Sequence, residues 1–285
     1  MKSFFFITTD HLETRIWFRD DEDFKVGMNY LAVTAAKTGV TVAAFILMSN
    51  HVHILLYCCR ADALHFINLF KQLYGTHYRN KYGDSRFFRR NSVAIDEIDS
   101  EDEGLEKVIA YIVMNSVAAR ICANANGYRW GTGACYFNDN KEVGHPVREM
   151  SGRSRIKLFR SRAKIPDSWT VGAGGYILPE CYVAVKGVEN IFKTPSRYNY
   201  FLNASSKAKK ARDASGPAFR DQVVLECIND LCVTMFNKKS PSDLNKEEKK
   251  ELVKQLRWRL STEVHQISRV SGIKYAEVTE MINSL

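Results

Sequence analysis

The first 137 residues alternate short apolar runs, rich in β-branched and aromatic side chains, with longer segments of helical spacing. The short runs have the length and composition of strands, and the longer segments place apolar residues three or four positions apart, as amphipathic helices do. In chain order they are a strand at 3–9, a helix at 21–39, a hairpin at 40–57, a helix at 61–83, a strand at 91–98 and a helix at 105–121. This order predicts an α+β domain in which helices pack on one face of a mainly antiparallel sheet.

The composition changes after this domain. Residues 138–212 are basic and irregular, and the run NASSKAKKARDASG at their end, residues 203–216, has the composition of a linker. Residues 213–285 return to helical spacing. The sequence therefore predicts three parts: a domain at 1–137, a basic connecting region at 138–212 and a mainly helical region at 213–285.

The carboxy-terminal end contains two short helical segments, residues 262–270 and 273–282, separated by Ser271-Gly272. A helix, a turn with glycine and a second helix are the spacing of a helix-turn-helix motif, which binds DNA. Four side chains of this pair are candidates for DNA contacts: Gln266, Arg269, Lys274 and Tyr275. The alternative is an ordinary helical pair, because any two short helices joined by a glycine have the same pattern.

The overall composition constrains partners and compartment. The chain has 41 Lys and Arg against 32 Asp and Glu, a formal net charge of +9. This surplus favours a polyanionic partner such as nucleic acid, although a solvated basic surface would have the same composition. The seven cysteines are scattered and show no CxxC spacing, which argues against a disulfide framework. No apolar stretch approaches the roughly 18 residues of a membrane helix, so we expect a cytoplasmic protein without membrane contact.

The stretch MSNHVHILLY, residues 48–57, places two histidines one position apart in front of an apolar strand. Because alternate side chains of a strand point to opposite faces, His51 and His53 share one face of the sheet. Two neighbouring imidazoles are suitable ligands for a divalent metal ion. The alternative is a pair of half-buried histidines, each hydrogen-bonded to a neighbour.

The helix at 105–121 carries a second polar pair. Tyr111 and Asn115 are four positions apart, so they are neighbours on one helix face. If this helix packs on the sheet face that bears the histidines, Asn115 would supply a third metal ligand and Tyr111 a nucleophile. A free tyrosine has a pKa of about 10, so its attack on a phosphodiester needs a cation that polarises the phosphate. The alternative for Tyr111 is an amphipathic residue at the edge of the core.

The order of MSNHVHILL, a basic helix and AYIVMNSVAAR resembles the single-tyrosine HUH transposases, and most of all their REP-associated branch. By position, His51 and His53 match the metal pair of that family, Tyr111 its nucleophile and Asn115 the polar group that completes the metal shell. The resemblance implies a ferredoxin-like fold with Mg²⁺ or Mn²⁺. It also implies cleavage and rejoining of single-stranded or hairpin DNA through a 5′-phosphotyrosine link. A homodimer is a further implication, in which the tyrosine helix can complete the partner's active site.

The chain departs from the family pattern at two places. The tyrosine helix of the family commonly continues with Asn-Pro, whereas Asn115 is followed here by Ser116. Where the branch often has a tryptophan before a basic run, this chain has RFFRR. At a separate position, where the branch often carries a tryptophan followed by small polar residues, this chain has Trp130. We expect three arginines of the RFFRR run to contact DNA: Arg86, Arg89 and Arg90.

The basic helix at 61–83 offers competing tyrosines. Tyr74, Tyr78 and Tyr82 are spaced by four among cations that suit phosphate contacts and base stacking. The cations are Lys71, Arg79 and Lys81. The alternative is a packed helix with a solvated flank. We prefer Tyr111 as the nucleophile because a polar residue one turn on accompanies it and the family resemblance places it there.

The leading hypothesis is an enzyme of DNA transposition, a metal-dependent strand transferase that uses Tyr111. Two alternatives stay open. A catalytically silent relative of such a transposase would act as a DNA-binding regulator. A hydrolytic nuclease would use water as the nucleophile at the same metal.

Overall fold

The structure, a computed structural model, describes residues 1–9, 15–83, 93–213 and 218–285. Its first part contains a four-stranded antiparallel sheet. The strands are β1 (Ser3–Thr8), β2 (Thr41–Leu47), β3 (Val52–Cys58) and β4 (Ala94–Ile98). They lie side by side in the order β2-β3-β1-β4. The predicted antiparallel sheet and the α+β class are confirmed.

Two long helices connect these strands: α1 (Asp21–Thr38) and α2 (Arg60–Tyr82). The carboxylate of Asp20 starts α1, because it accepts a hydrogen bond from a backbone N–H in the first turn. Gly39 and Gly83 follow the last turns with φ angles of 64° and 76°. Glycine adopts this left-handed conformation without a side-chain clash, so both helices end there, as the sequence predicts for Gly39.

The next predicted helix is divided by a break at Met114 into two pieces: α3 (Gly104–Val113) and α4 (Asn115–Ala118). The side-chain amide of Asn115 donates hydrogen bonds to the backbone oxygens of Tyr111, at 2.8 Å, and of Ile112, at 3.2 Å. These oxygens belong to the last turn of α3, where a helix leaves its carbonyls without helical partners. Asn115 therefore caps α3 and holds its end against α4.

Different helices cover the two faces of the sheet. Gly27 of α1 lies so close to β2 that a Cβ atom there would stand 3.0 Å from a methyl carbon of Leu47. Leu47 pairs with Val52 and points to the face opposite His53. On the other face, the ring of Tyr111 on α3 packs 5.6 Å from the ring of His53. The expectation that helices cover one face only is therefore wrong. β2 and β3 are buried at nearly every position, so both faces are apolar and both need cover.

The outer edge of β2 is covered by later segments of the chain. Gly131 forms a bridge with Ile46, and Val183 forms one with Val42. The backbone oxygen of Trp130 also accepts a hydrogen bond from a β2 amide at 2.9 Å. Strand edges expose unpaired N–H and C=O groups, so this cover satisfies part of an otherwise open edge.

Residues 138–212 pack on the sheet domain and share its hydrophobic core. Their elements are β5 (His145–Pro146), α5 (Gly152–Phe159), β6 (Thr170–Val171), α6 (Val185–Phe192), α7 (Pro195–Ala204) and α8 (Ser206–Asp213). Val147, Phe159, Ile177 and Phe192 of this part are all fully buried. The basic run with the composition of a linker is helical in α8. The sequence did not predict that this region contributes to the core.

Residues 218–285 form a helical part with a second core. Its helices are α9 (Asp221–Phe236), α10 (Lys246–Leu260), α11 (Val264–Ser271) and α12 (Tyr275–Asn283). Short 3-10 helices in the chain occupy Ala125–Gly127, Val147–Glu149, Pro179–Cys181 and Pro241–Asp243. The mainly helical carboxy-terminal region is confirmed. None of the helices in the described ranges is long and apolar enough to cross a membrane.

Asp23 is the centre of a buried polar network between α1 and α2. Its carboxylate accepts hydrogen bonds of 2.7 to 2.9 Å from His77, Lys81, Tyr82 and the backbone N–H of Arg19. Burial alone raises the pKa of this carboxyl, but the hydrogen bonds outweigh burial and lower the pKa from 3.8 to about 2. The ionised carboxylate therefore stabilises the packing of α1 on α2.

We expect Asp23→Asn to lower the free energy of unfolding near neutral pH by about 3 kcal/mol, because the half-buried Lys81 would lose its buried counter-charge and the other donors to Asp23 would lose a charged acceptor. In the wild type, the lowered pKa of Asp23 contributes about 2 kcal/mol above pH 4. This contribution is lost as the pH falls from about 4 to about 2, because the unfolded chain takes up the proton first. Urea titrations across this pH range measure both effects.

Asp20→Asn is the matched control for this substitution. Asp20 also pairs with Lys81, at 2.6 Å, but its side chain is 49% exposed. Because exposed ion pairs contribute little, we expect a change of less than about 1 kcal/mol. Equal stability of Asp23→Asn and Asp20→Asn would contradict a stabilising role of the buried network.

Candidate active site

His53 lies beside Tyr111 on one face of the sheet, and His51, in the loop just before β3, lies beside His53. The ring centroids of the two histidines are 4.8 Å apart, and the Tyr111 ring stands 5.6 Å from the His53 ring. Phe6 of β1 stacks on His53 at 5.6 Å and meets Tyr111 edge-on at 6.0 Å. The tyrosine and both histidines that the sequence singled out are thus brought together within one chain, although they are far apart in sequence.

The loop before β3 holds the histidines in place. The backbone N–H of Met48 donates to the oxygen of His51 at 2.9 Å, which closes the turn between β2 and β3. The hydroxyl of Thr9 accepts a hydrogen bond from the backbone N–H of Val52 at 3.0 Å. These two bonds hold the backbone on both sides of the histidine pair, at Met48–His51 and at Val52.

The orientation of His51 suits a metal ligand. Its Nδ1 atom lies 2.9 Å from the Oδ1 atom of Asn50. An amide oxygen only accepts hydrogen bonds, so this contact requires the hydrogen on Nδ1, and Nε2 is then the nitrogen that would bind a metal. Ligand histidines in proteins are commonly oriented by such a hydrogen bond from the second nitrogen. His51 therefore offers Nε2 as a candidate nitrogen donor, and the ring of His53 lies 4.8 Å from the His51 ring.

The remaining metal ligands are not the usual carboxylates or thiolates. Within the described ranges, no group of three or more His, Cys, Asp or Glu residues is placed to hold a metal. A metal at His51 and His53 would complete its shell with the amide oxygen of Asn115, with water or with phosphate oxygens. Imidazole suits transition metals, whereas Mg²⁺ prefers oxygen ligands, so Mn²⁺ fits this donor set better than Mg²⁺.

A lysine that the sequence did not single out lies at the site. The ammonium nitrogen of Lys207 on α8 stands 4.4 Å from the centre of the Tyr111 ring. Helix α8 packs on α4, directly after the tyrosine helix. The helix carries further exposed cations: Lys209, Lys210 and Arg212. The run KAKKAR was the available signal, but its small residues favoured a linker over a helix at the site.

The competing tyrosines on α2 have packing roles. Tyr74 and Tyr78 are buried, and their hydroxyls donate to the backbone oxygens of Trp17 and Ile16. Burial raises the pKa of Tyr74 well above its ordinary value, and burial and the hydrogen bond to Asp23 raise that of Tyr82. The structure therefore favours Tyr111 over these residues as a nucleophile.

The three cations of the basic helix that are predicted to contact DNA differ in exposure and in ion pairing. Lys71 is only 5% exposed, a placement that does not suit a phosphate contact. Lys81 pairs with Asp20 and Asp23. Arg79 is exposed on α2. The expectation for the RFFRR run falls on residues outside the described ranges: Arg86, Arg89 and Arg90.

In the carboxy-terminal part, two of the predicted DNA contacts point inward. Nε and Nη2 of Arg269 each donate to the carboxylate of Asp221 at 2.8 Å, and Gln266 donates to the same group at 3.0 Å. Burial raises the pKa of Asp221, but Arg269 outweighs it and the pKa is lowered. Asp221 also accepts a hydrogen bond from Ser49, in the loop before the histidines. These residues therefore join the helical part to the candidate site.

The other two predicted contacts stay on the surface. Lys274 is exposed, and Tyr275 is 47% exposed with its ring stacked on His265 at 4.4 Å. Both stand where α12 begins, the end of a recognition helix that commonly meets DNA. They remain candidates for a DNA contact, together with Arg79.

Comparison with known proteins adds no assignment. No protein-family model matches the chain, and no curated protein or solved structure matches it. The case for a function therefore rests on the arrangement of His51, His53 and Tyr111, and on the sequence pattern that led to them.

Proposed function

We propose that this protein is a metal-dependent DNA strand transferase related to the single-tyrosine HUH transposases. The observation that carries the proposal is the closeness of Tyr111 to the paired histidines, with 5.6 Å between the Tyr111 and His53 rings. A strand, a loop and a separate helix contribute the three side chains. A phenol beside two imidazoles is a suitable arrangement for nucleophilic attack on a metal-held phosphodiester.

The proposed reaction transfers a phosphodiester from DNA to tyrosine and back. The phenolic oxygen of Tyr111 forms a bond to phosphorus, and the bond from phosphorus to the 3′-oxygen of the preceding nucleotide breaks. The proton lost by the phenol balances the proton gained by the released 3′-hydroxyl. Attack of a 3′-hydroxyl on the phosphotyrosine reverses these changes and rejoins a strand. The cation Lys207 beside the tyrosine would help to hold the phosphate.

His51, His53 and Asn115 would hold the metal, which supplies polarisation of a phosphate oxygen. The hydrogen bond between His51 and Asn50 would orient the His51 ring, with Nε2 as the nitrogen that binds the metal. The amide nitrogen of Asn115 is used by α3, which leaves its oxygen for the metal shell.

We further propose a ferredoxin-like fold for the sheet domain and a helix-turn-helix for α11 and α12. The succession β1-α1-β2-β3-α2-β4 with strand order β2-β3-β1-β4 supports the first. The turn at Gly272, with a φ angle of 74°, supports the second. A module of this kind would bring a single strand to the transferase by binding duplex or hairpin DNA nearby. The proposed substrate is single-stranded or hairpin DNA, and the proposed assembly is a homodimer.

A catalytically silent DNA-binding regulator is the second candidate. It is favoured because, in the described part of the chain, no group of three or more His, Cys, Asp or Glu residues is placed to hold a metal. This candidate requires DNA binding that is unaffected by a chelator and unaccompanied by cleavage. The experiment below separates it from the transferase.

The wild-type protein should form a covalent adduct with labelled single-stranded hairpin DNA when Mn²⁺ is present. The adduct should migrate slowly on a denaturing gel, because the phosphotyrosine bond survives denaturation. We expect a chelator to abolish it, since the phosphate is then not polarised. DNA cleavage without an adduct would instead support a hydrolytic nuclease. Binding without either product, across a broad set of hairpins, would support the regulator.

A further inference from the structure

A cleft of about 510 Å³ opens beside Tyr111. It lies between β1, α3, α7 and the start of α8, and its lining includes Phe6, Lys107, Tyr111, Tyr200, Phe201 and Ser206. This volume is typical of sites that enclose a small molecule or one group of a larger ligand. The strand transfer proposed above does not by itself require such a cleft.

The walls of the cleft are aromatic. Phe201 is 4% exposed and forms part of the core, whereas Tyr200 next to it is 65% exposed. The two rings meet edge-on, with centroids 5.4 Å apart. An exposed ring at the mouth of an apolar cleft offers a flat surface on which a planar group can stack. Nucleic acid bases are planar groups that stack on aromatic side chains without regard to sequence.

An ion-pair cluster holds the two main walls together. Arg197 of α7 contacts Glu103 at 3.1 Å and Glu106 of α3 at 2.9 Å. Its guanidinium also lies 5.0 Å from the centre of the Phe201 ring. These contacts connect α7 to the start of α3, so the two walls are joined without a ligand. A ligand would therefore lose little free energy in ordering the protein.

The charges around the cleft complement a phosphate backbone. Lys107 is exposed at its rim, and Lys207 stands beside Tyr111. Further cations follow on α8. The one carboxylate among the described residues of the lining, Glu103, is paired with Arg197 at 3.1 Å. An aromatic slot flanked by cations suits single-stranded nucleic acid, because the flat faces of bases stack on aromatic rings while the phosphates are charged.

We infer that this cleft binds one unstacked base of single-stranded DNA, with Tyr200 as the stacking residue. Because Tyr111 lines the same cleft, the bound base would be the one next to the scissile phosphate. This identification rests on the proposed function. The cleft would position the strand, so that the attacked phosphorus lies at the phenol. Tyr200 acts here as a binding residue and takes no part in bond formation.

The test compares two strands of equal length in metal-free buffer: fluorescent oligothymidine, and the corresponding abasic strand with the same number of phosphates. We expect Tyr200→Ala to weaken binding of oligothymidine about 10-fold, within the range for loss of one base–aromatic stack. Binding of the abasic strand should change less than about 2-fold, because it has no base to stack. Fluorescence anisotropy measures both affinities.

Three further variants make the comparison specific. Tyr200→Phe should retain wild-type affinity, because the ring is kept. Lys207→Ala should weaken the binding of both strands by the same factor, because it removes a charge and not a stacking surface. Tyr57→Ala removes another exposed tyrosine, one outside the cleft lining, and should change neither affinity. Equal weakening of both strands by Tyr200→Ala, or no weakening of either, would overturn the inference.

The result is separable from that of the strand-transfer assay. If Tyr200→Ala weakens binding of oligothymidine only, and the wild type forms no covalent adduct, the base-binding role of the cleft is supported and the proposed transferase is contradicted. If the wild type forms the adduct and Tyr200→Ala does not change oligothymidine binding, the proposed transferase is supported and the base-binding role of the cleft is contradicted.

Discussion

Tyr111→Phe should form no covalent adduct with single-stranded DNA, a loss of about 10³-fold or more relative to wild type. The substitution removes only the hydroxyl oxygen that would bond to phosphorus. The phenyl ring would keep its contacts with Phe6 and His53, so the fold and the metal site should be retained. Denaturing gels with labelled hairpin DNA and Mn²⁺ measure the adduct, and anisotropy measures DNA binding, which should stay within about 2-fold of wild type.

Tyr57→Phe is the matched control for this prediction. Tyr57 lies on β3, is 40% exposed and contacts Phe4 at the other end of the strand from the histidines. It should form as much adduct as wild type. An adduct that persists in Tyr111→Phe would mean that another residue is the nucleophile. Tyr200, which lines the same cleft, would then be the first residue to replace with phenylalanine.

His51→Ala should lower metal-dependent adduct formation by about 10² to 10³-fold, because one of two imidazole donors is lost. His51 is the better position to substitute, since it is only partly buried, whereas His53 is buried and stacked on Phe6. Removal of His53 would combine loss of a ligand with a packing defect. A titration with Mn²⁺ should show saturation of the variant only at much higher metal concentration.

Two controls separate a ligand from a structural histidine. Asn50→Ala removes the hydrogen-bond acceptor of His51 and should cost about 10 to 100-fold, as is usual for a residue that orients a ligand. His65→Ala removes an exposed histidine of α2 and should have no effect. If His51→Ala leaves the metal requirement and the adduct unchanged, the paired histidines are structural, and the metal assignment is wrong.

Local structure was largely predictable. The four strands and the two long helices fall where the sequence predicts them, because strand and helix periods are properties of short windows of sequence. Gly39 ends α1 as predicted, since only glycine adopts the required φ angle without strain. The break at Met114 was not predicted. The apolar spacing continues through it, and the cap that Asn115 provides depends on a side-chain conformation.

The roles of polar residues on helices were less predictable. Gln266 and Arg269 have the spacing of surface residues in a helix-turn-helix, yet both contact Asp221. Asp221 lies outside the motif, at the start of α9, so no pattern within α11 reveals the contact. In the same way, Lys71 belongs to a basic helix but is buried. The helical spacing of charged residues can be read from the sequence, but the partner of each one depends on how distant elements pack.

By itself, the sequence predicted that His51 and His53 share a sheet face and that Tyr111 and Asn115 share a helix face, from the periods of a strand and a helix. The structure places His51 just before β3 and Asn115 beyond the break at Met114, yet each pair stays in contact, with 4.8 Å between the histidine rings and 2.8 Å from the Asn115 amide to the Tyr111 backbone oxygen. Only the tertiary structure decided that the two faces meet, with 5.6 Å between the rings of His53 and Tyr111. It likewise placed Lys207 and Tyr200, from a region without a predicted role, around that tyrosine. The reason is that both faces of the sheet are apolar, so cover for the second face must come from helices distant in sequence.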